Sequence, residues 1–170
     1  MTFKDQVVAT LIGTFAGFCG SLVLFWLREL WQGHRKKKAI IKNLDYEFDY
    51  NINLLNKYDK ELTECIEKIA ADSKVVYSSI EYSKIFKYFA NQLYAEGLFS
   101  KYLHPEDMKR WNDFLTTLSA GSENYFLEML DKWRKSKITK ANVHAAVEQE
   151  RKNVRYAREM TEYLKAKIIG

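Results

Sequence analysis

The chain has 170 residues, 47% of them apolar and 15% aromatic, enough to fill the core of one ordinary domain and too many for a disordered or collagen-like chain. One Pro and seven Gly leave few turn signals, which excludes a sandwich or barrel of many short strands and points to long helices. The formal charge of +5 is confined to residues 28–42, where Arg28, Arg35, Lys36, Lys37, Lys38 and Lys42 face only Glu29, while residues 43–170 balance 20 basic against 20 acidic side chains.

The first predicted element is Gln6–Leu27, 22 consecutive residues without a charge. As a helix they would extend roughly 33 Å, against a hydrocarbon core of about 30 Å. The run exceeds the h-region of a signal peptide, and its positive charge follows instead of preceding it. The expectation is therefore a retained, single-pass helix in the inner (cell) membrane, with the N-terminus outside and the C-terminal part cytoplasmic. Residues 1–32 are read as span and interface, 33–42 as a basic juxtamembrane segment, and 43–170 as a cytoplasmic bundle.

At 100° per residue the span divides into faces. Ala9, Gly13, Gly17 and Gly20 form a small face suited to close packing of helix backbones. Gln6, Thr10, Thr14 and Ser21, with Gly17 between them, form a polar stripe that continues into Leu24 and Arg28. One reading packs the small face in a dimer and bonds the hydroxyls back to their own helix carbonyls. The other places the stripe along the lumen of a ring of helices, with Leu24 as an apolar constriction and Arg28 as a basic ring.

From Lys37 onward, Ile41, Leu44, Phe48, Ile52, Leu55, Leu62, Ile66 and Ile69 recur at three and four, which predicts a long amphipathic helix. Ser78 and Glu81 resemble a capping box for a second helix reaching about Ala95, and Val75-Val76-Tyr77 is a weak strand candidate. Gly97 ends that helix, and His104-Pro105-Glu106-Asp107 reads as the start of a third, carrying Trp111, Phe114, Leu115 and Leu118. Tyr125, Phe126, Met129, Leu130 and Trp133 resume helical spacing after Ala120-Gly121-Ser122. Thr139 is expected to cap a final helix through Val143, Val147, Val154, Ala157, Leu164 and Ile168. The fold class is all-α: one transmembrane helix followed by a bundle of four to five helices.

Catalytic signals are sparse. There is no Gly-rich phosphate loop, no His-x-x-x-His pair and no Gly-x-Ser-x-Gly, and His34, His104 and His144 are scattered, so neither a metal site nor a cofactor is expected. Cys19 and Cys65 define no disulfide framework, and Cys65 reads as an ordinary helix-face residue. The acids and bases of the last helix, among them Glu148, Arg155, Arg158, Glu159 and Glu162, read as a solvated face. Arg28-Glu29-Leu30-Trp31-Gln32-Gly33-His34 satisfies the Arg-x(4–6)-His pattern of HEPN ribonucleases, but it lies at the expected membrane exit and not in the bundle. The pair Arg28 and His34 is therefore read as a degenerate motif, and no enzyme activity is expected.

In length, N-terminal apolar helix, basic exit, helical HEPN-like remainder and this Arg/His pair, the chain resembles the membrane accessory proteins of type VI-B CRISPR systems. The resemblance covers the whole chain in layout and only Arg28 and His34 in motif. It implies an oligomeric inner-membrane pore, of six or more copies of the chain in the lipid bilayer, that enhances antiphage defence with an RNA-guided effector or RNA as trigger. The alternative is a single-span anchor or adaptor whose bundle binds a protein or RNA partner.

Overall fold

The computed structural model describes the backbone of residues 3–118 and 120–170, and their side chains apart from those of 3–9, 11, 114, 115, 117 and 120–122. Among the described residues all regular structure is helical, as expected of an all-α fold: α1 (Phe3–Ala70), α2 (Tyr88–Ala95), α3 (Pro105–Thr117), α4 (Ala120–Arg134) and α5 (Lys140–Ile168), with 3-10 turns at Tyr82–Lys84 and Phe99–Lys101. It divides into two compact units, Met1–Ile40 and Ile41–Gly170.

The expected membrane helix is not supported. Among the described residues no helix is long and apolar enough to cross a membrane. Within the described residues the apolar stretch is diluted by Gly13, Thr14, Gly17, Gly20 and Ser21, and Arg28 and Glu29 follow it at once on the same helix. The side chains of Gln6 and Ala9, which the sequence reading put on the polar and small faces, lie outside the described residues. The single-pass inner-membrane location and its orientation fall with the span.

The second unit is built on residues 41–70 of α1. Leu44, Phe48, Asn51, Leu55, Tyr58, Leu62, Cys65 and Ile69 are all buried, alternating steps of four and three along one stripe. A 3.5-residue period of this kind is the seam that packs against neighbouring helices. The sequence reading held five of these positions, placed Cys65 on an ordinary helix face, and set Ile41, Ile52 and Ile66 inward where they are only half-buried. From the other helices Trp111, Phe126, Leu130, Trp133, Val143, Val147, Val154, Ala157 and Leu164 complete the core.

Helix ends follow local chemistry. After α1 the amide of Ser73 bonds to Lys68 O at 2.9 Å and that of Asp72 to Ile69 O at 3.0 Å, with Asp72 at φ 61°. The ends of α2 and α4 repeat this pattern with Gly97 (φ 64°) and Ser136 (φ 54°) in the left-handed position. At the start of α3 the Asp107 carboxylate accepts the His104 amide at 3.1 Å, and Thr139 caps α5 by accepting from Asn142 N at 3.3 Å.

The segment between α1 and α2 differs from expectation. Residues 75–81 form neither the strand considered for 75–77 nor the helix expected from 78, because side chains of α1 hold their backbone. Glu61 accepts from Ser79 N and Oγ, and Tyr58 Oη donates to Glu81 O at 2.8 Å. Ser78, read as a helix cap, accepts only from Ile80 N at 3.2 Å.

Candidate interaction site

Two surfaces stand out, one in each unit. In the first unit Ile12, Phe15, Phe18, Leu22, Val23, Leu24, Phe25, Trp26, Leu27, Leu30 and Trp31 are each more than half exposed. Residues 22–27 cover more than a full helical turn, so this stretch of the arm is apolar on every side. At Gly13, Gly17 and Gly20 an added Cβ would meet nothing within 4 Å, which leaves a shallow open groove.

The polar residues of the arm are turned inward on their own helix. Thr14 Oγ1 donates to Thr10 O at 2.9 Å and Ser21 Oγ to Gly17 O at 2.8 Å, the back-bonded arrangement of the first reading of this stripe. Thr10, Thr14, Gly17, Ser21, Leu24 and Arg28, the residues expected along a lumen, are all exposed. Arg28 and His34 are also exposed, and six residues on one helix set them about 120° apart around its axis, which does not converge them on a substrate. Arg35 lies over the Trp31 ring at 3.9 Å.

In the second unit charged side chains fasten α5 to α1. Asp59 Oδ1 accepts from Arg155 Nε at 2.8 Å and Arg151 Nε at 3.2 Å, and Lys165 Nζ reaches Asp49 at 2.6 Å and Asp45 at 2.9 Å. Burial pushes the Asp59 carboxyl up, but the two guanidinium groups outweigh it and hold it below its ordinary value. The Tyr163 hydroxyl, donating at 2.7 Å, holds the Asp107 carboxyl below its ordinary value despite burial. What the sequence presented as a solvated face of α5 is thus partly an interhelix seam. Its signal was the acid spacing Asp45, Asp49 and Asp59 on the facing helix.

Beside this seam lies a groove of about 360 Å³ lined by Asn43, Tyr46, Glu47, Tyr50, Phe86, Tyr88 and Phe89. The α1 residues sit at i, i+3, i+4 and i+7, a single face, and residues 86–89 form the opposite wall at the entry to α2. Asn51 holds that wall in place, donating to Phe86 O at 2.7 Å and accepting from Phe86 N at 2.9 Å. Glu47 is buried and accepts from Phe89 N at 2.8 Å and Ala90 N at 3.1 Å, so it caps α2 from a distance. Burial raises its carboxyl pKa, and the backbone donors only partly offset that. The sequence reading missed this site because it ran one helix through residues 78–95, which would have turned Tyr88 away from Phe86 and Phe89.

Two further hollows are polar. Glu61, Glu64, Cys65, Lys68 and Tyr77–Ser79 line one, where burial pushes the Cys65 thiol up to about 11 and its Sγ lies 3.6 Å from Tyr77 O. His104–Asp107, Arg110 and Tyr163 line the other. Among the described residues no group of three or more His, Cys, Asp or Glu could hold a metal ion.

Fold and surfaces together define a class: an all-helical chain that joins an apolar helical arm to a helical bundle carrying an aromatic groove. No family model, curated protein or solved structure matches it.

Proposed function

We propose that the protein is a non-catalytic, self-associating adaptor, whose arm is covered by the arms of further copies and whose bundles are thereby arrayed for partners. The observation that carries this reading is the exposure of every large apolar side chain from Ile12 to Trp31. The largest apolar patch of a typical monomer is about 300–600 Å². Side chains of this size each bring about 150–250 Å², so the arm displays on the order of 1,000 Å² even at half exposure. Covering half of it contributes on the order of 10 kcal/mol before the cost of association.

The open groove at Gly13, Gly17 and Gly20 suits a second helix backbone, and the back-bonded hydroxyls of Thr14 and Ser21 bring no unpaired donors into such a contact. Joining several bundles raises their effective concentration for a multivalent partner. A pore of the kind the resemblance implies would need a membrane-crossing helix, and among the described residues none is long and apolar enough.

Sedimentation of the full chain tests the reading. Wild-type protein should sediment as a discrete oligomer, and Gly17→Leu, which fills the groove, should shift it toward smaller species. A wild-type monomer, or a Gly17→Leu variant that assembles unchanged, would refute it.

A further inference from the structure

The groove between residues 43–50 of α1 and residues 86–89 has no assigned role, and it does not depend on the arm. Five aromatic side chains line it: Tyr46, Tyr50, Phe86, Tyr88 and Phe89. Four of them are exposed, Tyr88 at 69% and Tyr46 at 62% of their surface, although their flanking backbone is held by buried side chains. Two ring pairs stand at angles, Tyr50 and Phe86 at 47° with centroids 4.7 Å apart and Tyr88 and Phe89 at 90° with centroids 4.9 Å apart. Rings set at angles around a hollow present both faces and edges to it, and the faces carry negative potential.

The charge in the wall points the same way. Glu47 is 5% exposed, and both its oxygens accept backbone amides. A carboxylate has about four acceptor positions, so the amides of Phe89, Ala90 and Tyr88 that act on it leave about one. Among the described residues no Lys or Arg side chain forms an ion pair with it. The chain's own cation shows that one of these rings is accessible: Lys42 Nζ lies 6.0 Å from the Tyr46 centroid, at the outer limit of a cation–π contact.

From these observations we propose that the groove binds a quaternary or methylated ammonium group, held against the faces of Tyr46, Tyr50, Phe86 and Tyr88 and neutralised at short range by Glu47. Such a cation sheds its water more cheaply than a primary ammonium and fills an aromatic hollow with methyl groups. A volume of about 360 Å³ accommodates a trimethylammonium head with part of its stem. Asn51 acts as a positioning residue, because it fixes the backbone of Phe86 and touches no ligand.

The test is calorimetric titration of the full chain with choline and with its neutral carbon isostere 3,3-dimethylbutanol, which has the same shape without the charge. Choline should bind at least tenfold more tightly. Equal affinity would reduce the groove to an apolar hollow, and the absence of choline binding to folded protein would overturn the proposal outright. Tyr46→Leu and Tyr50→Leu, both at exposed positions, should each weaken choline tenfold or more while the circular dichroism spectrum stays unchanged. Unaltered affinity in both would place the ligand elsewhere. A peptide bearing trimethyllysine, run beside choline, distinguishes a protein source from a free metabolite by which of the two binds more tightly. A proline-rich peptide that competes while choline does not would overturn the cation in favour of an extended peptide.

Discussion

Asn51 is the residue whose loss should disturb the bundle most out of proportion to its size. Its amide is 3% exposed and closes a two-way bond with Phe86, 2.7 Å to the carbonyl and 2.9 Å to the amide. Asn51→Ala would leave a backbone donor and acceptor without partners and open a small void on the α1 seam. An orphaned buried polar group costs about 1–3 kcal/mol. Because Phe86 itself is exposed, water can reach part of its backbone, and the lower half of that range applies to each group. The two groups together give a loss of about 2–4 kcal/mol, and the small void puts the total toward the upper end of that range. With a urea m-value of about 1–3 kcal/mol/M, the midpoint should fall by about 1–2 M at unchanged slope. Fluorescence of Trp111 and Trp133, both buried in the bundle, reports the transition, and hydrogen exchange at the Phe86 amide should pass from protected to fast. A midpoint within about 0.3 M of wild type, with Phe86 still protected, would refute the clamp.

Asp59 predicts the sign of the acid response. Its pKa lies below the unfolded value, so the stability it contributes is complete above the ordinary carboxylate range and is lost as pH falls through the depressed folded value. Asp59→Asn should therefore lower stability at neutral pH and flatten the acid limb of the stability profile, and an unchanged limb would contradict the pairing with Arg151 and Arg155. Cys65, buried and pushed up to about 11, should resist iodoacetamide at pH 8 until urea unfolds the bundle, as peptide mapping of the alkylated protein would show. In a parallel assembly the basic residues Arg28, Arg35 and Lys38 of neighbouring arms repel one another. Raising salt from 0.05 to 0.5 M should then tighten association by screening, and looser association at high salt would count against parallel apolar arms.

The elements most readable in advance were those whose chemistry is local. Thr139 as a cap, Pro105 as a helix start and Gly97 as a stop each act within a few residues, and all three stand where the spacing put them. Residues 75–87 were not readable that way. Their backbone is shaped by Tyr58, Glu61 and Asn51, up to 35 positions earlier, and a capping pattern at Ser78 carries no trace of those partners. The same distance hid the groove, because Phe86, Tyr88 and Phe89 face Tyr46 and Tyr50 only once the expected helix from 78 has given way to a loop. Period misled in a subtler way on α1. Ile41, Ile52 and Ile66 fit a 3.6-residue spacing, but the buried seam follows 3.5 and so takes Asn51, Tyr58 and Cys65 in their place. In the arm, uncharged length suggested a span, whereas among the described residues no helix is long and apolar enough to cross a membrane, and the hydroxyls of Thr14 and Ser21 are satisfied on their own helix.

Whether the arms of separate copies meet is measured most directly through Cys19, which lies among the exposed apolar residues of the arm. A nitroxide attached there in the Cys65→Ser background reports its distance to the same label on a neighbouring copy. Helices packed in contact lie about 8–10 Å apart axis to axis, close enough for strong dipolar broadening at room concentrations of protein. Self-association predicts broadening in the fully labelled chain that disappears when labelled protein is diluted into a tenfold excess of unlabelled protein. A spectrum without interlabel broadening, together with labels that become accessible to oxygen only on addition of lipid vesicles, would contradict the account and assign the cover of the arm to lipid.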